Sequence, residues 1–438
     1  MDSSAELFES TKQDISEQFF ADSRPWVIAF SGGKDSTLVL QLVYEFMIEH
    51  AQEQLKPVFV ITSDTMVEPP NVITYTHNVL NCIEQGAKKH NLPLTINWAT
   101  PTVHERFWSK IIGKGYPPPT RWFRWCTSSM KIKPTKRVIN KITREYGSVV
   151  LLLGTREDES SARKRRMEGR LYSERRLNPH HEIQNALVYS PIQYWTTDDV
   201  WEYLHLNNPA PWGQSHDIMI GLYKQANGGE CPLIIDLNTP SCGGSRFGCW
   251  TCTVVKYDKS MEGFINTGDE WMMPLNTFRN WLKEIREDSI HRMDVRRNGE
   301  PGAGPFTPEA REEILIRLLE VEKELNLSFI TDEEILYIQN IWTKEFDLGE
   351  KAIKIARRYG RELSGGTQMN LEDDDRDLLD SLTGEYELSP ELVARILSLA
   401  EEFRHSYESW GAGGKIQARL EEIINTAIRQ AELTGEKS

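Results

Sequence analysis

A glycine-rich turn near the amino terminus is the first segment whose residue types suit chemistry. Its residues are Ser31-Gly32-Gly33-Lys34-Asp35-Ser36. An apolar run precedes the turn and an amphipathic helical pattern follows it, so the turn opens a helix. Glycines let the backbone approach phosphate oxygens, and a helix N-terminus offers free N–H groups. The turn therefore predicts a phosphate site with Lys34 as its cation. Asp35 directly after Lys34 excludes a Walker A loop.

Four of the six cysteines lie close together in one later stretch of the chain. They are Cys231, Cys242, Cys249 and Cys252, with the spacing C-x10-C-x6-C-x2-C. A C-x-x-C pair suits two corners of a tetrahedral metal site, and four thiolates complete either a zinc site or a cubane cluster. The spacing alone leaves structural zinc, an iron–sulfur cluster and free thiols open.

A fifth cysteine, Cys126, stands far upstream among basic residues. Arg121, Arg124 and Lys131 are its cationic neighbours in the sequence. Because nearby positive charge lowers the pKa of a thiol, we expect Cys126 to react as a thiolate. Cys82 falls in an amphipathic helical pattern, which is typical of a core residue.

Short apolar segments that alternate with helical patterns must position these groups. The predicted strands cover 26–30, 57–64, 94–98 and 148–153, and a helix is predicted over 71–90. Such alternation is typical of a buried parallel sheet, which binds ligands beyond the carboxyl ends of its strands. Asp64 and Gly154-Thr155-Arg156 follow two of those ends. We therefore predict an α/β fold with a parallel sheet flanked by helices and a mainly helical C-terminal extension.

Changes of composition predict the domain organisation. The predicted parts are an N-terminal helical arm over 1–23, a nucleotide-binding domain over 24–256 that ends in the cysteine segment 231–252, a helical region over 257–360, an acidic flexible connector over 361–388 and C-terminal helices over 389–438.

The net charge limits how the chain could meet a nucleic acid. The 438 residues carry a formal net charge of −14, whereas a free-standing DNA binder is usually basic. Contact with DNA therefore needs a local patch or partner subunits, and the Arg/Lys-rich stretch 163–176 is the candidate patch. A solvated surface loop is the alternative. We expect a cytoplasmic protein without membrane contact, because no apolar run is long enough to span a bilayer and the N-terminus is acidic.

Further strings follow the glycine turn in a fixed order. They are Trp125-Cys126-Thr127 with Lys131-Ile132-Lys133-Pro134, then Gly154-Thr155-Arg156 with Glu159-Ser160 and Arg163, then Ser190-Pro191-Ile192 with Trp195. Over roughly residues 24–255 the set resembles the phosphoadenosine phosphosulfate reductase family of PP-loop proteins. The resemblance implies an adenine nucleotide alpha hydrolase-like fold and a loop that grips the β,γ-phosphates of ATP while the enzyme cleaves between the α- and β-phosphates.

The resemblance also implies roles for individual residues, with Mg²⁺ bridging the phosphates. The implied ATP-binding residues are Ser31, Gly32, Gly33, Lys34, Asp35, Ser36, Asp64, Gly154 and Arg156. The candidate catalytic residues are Lys34, Asp35, Cys126, Arg156 and Arg163. For Asp64 a simple turn or cap role is an equal alternative.

Four features narrow the resemblance to the sulfurtransferases of bacterial DNA phosphorothioation. They are the string Phe30–Thr37, the string over 62–70, the Cys249-Trp250-Thr251-Cys252 end and the helical C-terminal extension. This implies a [4Fe-4S] protein that hydrolyses ATP to AMP and pyrophosphate and works with a cysteine desulfurase and other subunits of a modification complex. Either the four later cysteines hold the cluster and Cys126 carries a persulfide, or Cys126 is itself a ligand.

Other functions remain as alternatives. Thiolation of tRNA uses the same loop, but the thiocytidine-forming enzymes carry two C-x-x-C pairs, whereas this chain has one. Reduction of a sulfonucleotide is disfavoured, because Cys126 is not part of a Cys-Cys pair and no Glu-Cys-Gly-Leu-His tail is present. A non-catalytic scaffold with structural zinc is the alternative of another class, and the intact glycine turn argues against it.

Overall fold

The computed structural model describes residues 3–159, 176–180, 182–227, 247–347 and 349–363, with scattered positions between 383 and 428. The chain divides into two compact units. Unit 1 comprises Met1–Thr102 and Pro119–Arg279, and unit 2 comprises Val103–Pro118 and Asn280–Ser438. The domain boundaries predicted from composition stay predictions. The connector 361–388 and the C-terminal helices 389–438 lie largely outside the described residues.

Unit 1 is built on a six-stranded sheet with the order β3-β2-β1-β4-β6-β5. Neighbouring strands are parallel except β5, which runs antiparallel to β6. The strands are β1 (Trp26–Phe30), β2 (Val58–Ser63), β3 (Leu94–Ala99), β4 (Val149–Leu152), β5 (Asn178–Pro179) and β6 (Ala186–Tyr189). This confirms the predicted parallel α/β sheet, to which the short strand β5 adds an antiparallel edge that was not predicted.

Helices alternate with these strands and continue after them. They are α1 (Ser3–Phe20), α2 (Lys34–Glu49), α3 (Pro70–Lys89), α4 (Lys133–Tyr146), α5 (Thr197–Leu206), α6 (Asp217–Ala226), α7 (Lys259–Asn266), α8 (Met273–Glu287), α9 (Pro308–Leu325), α10 (Asp332–Glu345) and α11 (Lys351–Arg358). The helical C-terminal region was predicted correctly.

One face of the sheet forms a core with α4. Val27 of β1 and Leu151 of β4 are buried against Ile139 and Ile142 of α4. Burial on both faces explains why these strands read as near-continuous apolar runs rather than alternating ones. The sheet therefore leaves only its strand ends open for chemistry.

The strand order creates a switch point between β1 and β4. The chain runs from β1 outward to β2 and β3, then returns to place β4 on the opposite side of β1. Loops that leave neighbouring strands in opposite directions open a crevice at the carboxyl edge. The glycine turn after β1 and the Gly154-Thr155-Arg156 segment after β4 flank this crevice.

In its described residues, unit 2 is helical, and the segment Ser109–Gly113 forms a wide helical turn. The buried Arg311 donates through Nε to the carbonyl of Ile112 at 2.9 Å, and Trp342 Nε1 donates to the same carbonyl at 2.9 Å. Arg311 Nη1 also pairs with Glu345 at 2.7 Å. These side chains satisfy carbonyls that the wide turn leaves without helical donors. Across the described part of the chain, no helix is long and apolar enough to cross a membrane.

Two helical glycines offer a matched test of the packing that positions α6. A Cβ on Gly263 of α7 would lie 2.8 Å from the carbonyl carbon of Ala226, whereas Gly221 of α6 has open space around it. We expect Gly263→Ala to destabilise unit 1 by about 1–3 kcal/mol, because backbone must move. Gly221→Ala should be neutral or slightly stabilising, because alanine favours a helix. Calorimetric unfolding of both variants measures this, and equal melting temperatures would contradict the close helix contact.

A buried histidine predicts one part of the pH dependence of stability. His216 hydrogen-bonds through Nε2 to Gln41 Oε1 at 2.8 Å, which links the start of α6 to α2. Burial lowers the pKa of His216 to about 4, although Asp217 acts in the opposite direction. The pKa of His216 is lower in the folded than in the unfolded protein, so the neutral imidazole contributes to the free energy of unfolding. That contribution is complete above about pH 6.5 and is lost as the pH falls toward 4.

The measurement compares melting temperatures of wild type and His216→Gln between pH 7 and pH 4.5. The wild type should lose up to about 1.4 kcal/mol per pH unit more than the variant across this window. His205→Gln, at an exposed position of α5, is the control and should keep the wild-type slope. Parallel curves for all three proteins would contradict the neutral buried imidazole.

Candidate active site

The glycine turn is closed by its own hydroxyl groups. The Ser31 N–H donates to Ser36 Oγ at 3.1 Å, and Ser36 Oγ donates to the carbonyl of Gly33 at 2.9 Å. Gly32 has φ +74°, in the left-handed region that favours glycine. The Lys34 N–H, at the start of α2, donates to the hydroxyl of Tyr223 at 3.2 Å. The turn is therefore preformed at a helix N-terminus, which is the geometry of an anion site.

Asp35 joins the charges of this turn. Its carboxylate lies 2.8 Å from Lys34 Nζ and 2.7 Å from Arg156 Nε. A carboxylate has enough lone pairs to accept from both cations. A second carboxylate, Asp158, lies 3.4 Å from Arg156 Nη1, so the four charged side chains together are neutral. The N–H groups at the N-terminus of α2 therefore remain the main feature that suits a phosphate.

Arg156 is held almost entirely by protein atoms. Its side chain is 2% exposed. Besides Asp35, Nη1 donates to the carbonyl of Trp195 at 3.2 Å and Nη2 donates to Thr197 Oγ1 at 3.1 Å. Such a fork of hydrogen bonds fixes the β4 loop against the β1 turn. The geometry therefore makes Arg156 a residue that positions Asp35.

Gly154 permits this approach of the two loops. A Cβ at this position would lie 2.8 Å from the carbonyl carbon of Asp35 and 3.1 Å from the amide nitrogen of Ser36. Both are backbone atoms at the start of a helix, which cannot yield as a flexible side chain does. The glycine predicted as an ATP-binding residue is thus required first by the contact between the loops.

Thiols gather beyond the carboxyl end of the adjacent strand, β2. Cys249 Sγ lies 3.5 Å from Thr65 Oγ1, and Thr65 Oγ1 donates to Glu68 at 2.5 Å. Lys131 lies within electrostatic reach of Cys249, Cys126 and Cys252. The structure therefore brings Cys126, Cys249 and Cys252 together around one cation, and we call these three cysteines the thiol group.

The backbone around the C-x-x-C pair is anchored on both sides. The Trp250 N–H donates to the carbonyl of Val67 at 3.0 Å, and the Cys252 N–H donates to the carbonyl of Cys249 at 3.0 Å. Arg279, with 0% exposure, donates through Nε to the carbonyl of Cys252 at 2.8 Å. The pair thus forms a tight turn fixed to the loop after β2.

Burial corrects the expectation that Cys126 has a lowered pKa. Desolvation is the largest influence on its thiol and raises the pKa above the usual value, and nearby Cys252 raises it further. Lys131 and a hydrogen bond to Thr127 act in the opposite direction and are outweighed. Burial likewise raises the pKa of Cys249 to about 12. The basic neighbours of Cys126 in the sequence gave no information on the burial of its thiol.

The remaining predicted site residues divide into placed and undescribed ones. Asp64 follows β2, and its Oδ1 accepts from the Met66 N–H at 2.7 Å, as in a turn. Cys231, Cys242 and Arg163 lie outside the described residues, as does most of the basic stretch 163–176. Within the described ranges, no three His, Cys, Asp or Glu side chains are grouped closely enough to hold a metal ion.

Sequence reasoning missed Tyr223 and Arg279. Tyr223 is 189 residues away from Lys34 in the chain, yet its hydroxyl accepts a hydrogen bond from the Lys34 N–H. Neither residue belongs to a local string, and a tyrosine on an amphipathic helix reads as ordinary core. Only the return of α6 toward the start of α2 assigns it to the turn.

Comparison with known proteins identifies the family. Residues 25–255 match the phosphoadenosine phosphosulfate reductase domain, which is more than half of the chain. The chain belongs to this family. The PP-loop expected from the resemblance is thus the turn Ser31–Ser36, and the matched region lies within unit 1 apart from the inserted segment Val103–Pro118.

Two uncharacterised proteins of Methanocaldococcus jannaschii are similar in sequence. One is 29% identical over 180 residues, which are 41% of this chain and 36% of that protein. The other is 25% identical over 273 residues, which are 60% of this chain and 45% of that protein. The chain thus spans less than half the length of either relative.

Two solved structures are distantly similar. A U34-tRNA thiolase from Methanococcus maripaludis, solved with its [4Fe-4S] cluster, is 12% identical with a TM-score of 0.31, over 64% of this chain and 78% of that one. An FMN adenylyltransferase from Candida glabrata is 11% identical with a TM-score of 0.30, over 71% of this chain and 82% of that one.

The buried fork of Arg156 leads to a prediction about stability. We expect Arg156→Lys to destabilise unit 1 by about 1–3 kcal/mol, because lysine cannot satisfy Asp35, Trp195 and Thr197 together. The control is Arg176→Lys, whose side chain is 30% exposed and pairs with Asp14 at 2.8 Å. It should change stability by less than about 1 kcal/mol. Urea unfolding followed by tryptophan fluorescence measures both, and equal losses would contradict the positioning role.

Proposed function

We propose that the chain is an ATP-dependent sulfurtransferase that activates a DNA backbone phosphate by adenylation and replaces a non-bridging oxygen with sulfur. One observation carries the proposal. The PP-loop turn lies beyond the carboxyl end of β1, and the thiol group lies beyond the carboxyl end of β2. These two strands are parallel neighbours in the sheet. Parallel strands lie about 4.8 Å apart, so an activated phosphate and a sulfur nucleophile could meet at one edge of the sheet.

The turn would hold ATP for the first step. Backbone N–H groups at the start of α2 and the Lys34 ammonium would bind the β,γ-phosphates, with Mg²⁺ bridging them. A non-bridging oxygen of the DNA phosphodiester attacks the α-phosphorus, and pyrophosphate leaves. The product is a mixed anhydride between the DNA phosphate and AMP, in which the attacking oxygen has become part of a good leaving group.

Cys126 would carry the sulfur of the second step as a persulfide, loaded by a cysteine desulfurase. The terminal sulfur attacks the DNA phosphorus, and AMP leaves with the former phosphate oxygen. A second thiol then attacks the Cys126 sulfur, breaks the S–S bond and releases the phosphorothioate. The two thiols become a disulfide, which a thiol reductant must reduce before the next cycle. Lys131 lies beside Cys126 and would stabilise the anionic persulfide.

The thiols also suit an iron–sulfur cluster in their donor chemistry. Cys249 and Cys252 would form two corners, and Cys231, Cys242 or Cys126 would supply the others. When bound, a [4Fe-4S] cluster would supply a redox-active or sulfur-binding centre. The residues around it have a separate task, because Arg279 and Val67 hold the C-x-x-C turn in place through backbone contacts.

The DNA substrate and the partners follow from the narrower resemblance to the phosphorothioation sulfurtransferase DndC. The support in this chain is the string over 62–70, whose Thr65 contacts Cys249 and donates a hydrogen bond to Glu68. Other subunits of the modification complex would supply the desulfurase activity and the site specificity. The same proposal includes that the protein is soluble and acts in the cytoplasm.

The test uses the full chain with its desulfurase partner, and it has two measurements. Pyrophosphate release from ATP should fall by about 100-fold or more in Lys34→Ala, because a positioned cation at the phosphates is lost. Lys88→Ala, which removes an exposed lysine from α3, is the matched control and should retain activity. Mass spectrometry of nuclease-digested DNA should find phosphorothioate dinucleotides with wild type and with the control only.

Each result has a defined reading. Equal pyrophosphate release by Lys34→Ala and Lys88→Ala would refute ATP cleavage at the turn. Wild-type release without any phosphorothioate in DNA, but with thiolated nucleosides in tRNA, would refute the DNA assignment and leave the adenylating site in place.

A further inference from the structure

A second basic stretch, distinct from 163–176, lies in the described part of unit 1. Residues 121–144 contain eight arginines and lysines and no acidic residue. The whole chain has 65 acidic and 51 basic residues, so an uninterrupted cationic run of this length runs against the overall charge. The stretch begins just before Cys126 and continues to the end of α4.

Half of these cations share one face of α4. We call this face the basic ridge; its residues are Lys133, Arg137, Lys141 and Arg144. Their spacing of four, four and three residues places them one above the other on a helix, and all four are exposed. The opposite face packs Ile139 and Ile142 into the core, so the ridge points to solvent.

The ridge opposes the stability of its own helix. Like charges three or four residues apart on a helix repel each other. Among the residues that the structure describes, no carboxylate pairs with Lys133, Lys141 or Arg144. An external polyanion would relieve this repulsion.

An exposed tryptophan precedes the ridge. Trp122 is 97% exposed, and the Trp122 and Phe123 N–H groups donate to Thr120 Oγ1 at 3.3 and 3.0 Å. Trp125 is buried and anchors the segment from below. A large apolar ring held in water beside exposed Arg121 and Arg124 suits stacking on a nucleobase, with cations for the adjoining phosphates.

We propose that the basic ridge binds the phosphates of a DNA strand and that Trp122 stacks on an unstacked base of that strand. The inference rests on the proposed function and assigns its DNA surface. Cys126 lies between Trp122 and α4 in the chain, and Thr135 of α4 hydrogen-bonds to Ser63 at the end of β2 at 3.1 Å. The ridge therefore starts at the edge of the sheet where the thiols lie.

The length of the ridge suits several nucleotides. The twelve residues from Lys133 to Arg144 span about 17 Å along the helix, which corresponds to about five phosphates of one strand in a duplex. Phosphate contacts set position without reading sequence. Base selection would then fall to Trp122 and to partner subunits.

The first test compares two double variants of equal charge in the full-length protein. Lys133→Gln/Lys141→Gln removes two lysines from the ridge, and Lys88→Gln/Lys89→Gln removes two exposed lysines from α3. Binding to a fluorescein-labelled single strand of about 16 nucleotides is measured by anisotropy over a range of salt. The ridge variant should lose about 1.4 from the slope of log K against log salt, because each lysine contributes about 0.7. The α3 variant should keep the wild-type slope.

The second test concerns the ring. Trp122→Ala should weaken binding of the single strand by roughly 5-fold or more, whereas Trp122→Phe should recover most of the affinity, because phenylalanine also stacks. Neither change should alter the salt slope. An equal loss in both variants would overturn stacking, since phenylalanine keeps an aromatic face.

The outcomes separate this inference from the proposed function. If both double variants show the same fall in affinity and in salt slope, DNA binding depends only on the overall charge of the protein. That result would refute the basic ridge as the DNA site. If wild type binds a tRNA tightly and the DNA strand only weakly, the DNA surface is refuted. If the ridge binds DNA as expected but Lys34→Ala releases pyrophosphate normally, the proposed function fails and the ridge stands. Melting temperatures close to wild type exclude unfolding as the cause.

Discussion

The carboxylate of Asp35 is the contact on which the site in unit 1 depends. It joins Lys34, in the turn after β1, to Arg156, in the loop after β4. These loops leave neighbouring strands in opposite directions, so nothing in the sheet itself holds them together. A buried guanidinium without its partner is strongly destabilising, and the pair is therefore a structural requirement as well as a charge arrangement. Gly154 completes the contact because no Cβ fits there.

The thiol group depends on a different kind of constraint. Burial, rather than charge, is the largest influence on Cys126 and Cys249, and it raises the pKa of both thiols. Lys131 is the cation that these thiols share. Cys126, Cys249 and Cys252 are each partly buried beside this one cation. Desolvation favours their neutral thiols, whereas Lys131 favours their thiolates.

Charge is distributed unevenly over an acidic chain. The ammonium group of Lys34 in the glycine turn is paired with Asp35, whereas the basic ridge of α4 is exposed. The two groups thus suit different anions, a compact nucleotide phosphate and an extended polyanion. The net charge of −14 is compatible with such a surface, because local potential within about a Debye length governs the encounter with a phosphate.

The sequence by itself determined the parallel sheet, the glycine turn and its helix, since apolar runs, glycines and a helical pattern are local properties. It also placed Gly154 and Arg156 at a strand end. Tertiary structure alone decided that Tyr223 accepts a hydrogen bond from the turn, that Val103–Pro118 belongs to unit 2, and that Cys126 is partly buried. Contacts between residues far apart in the chain and the burial of a group arise only from packing, for which no local pattern exists.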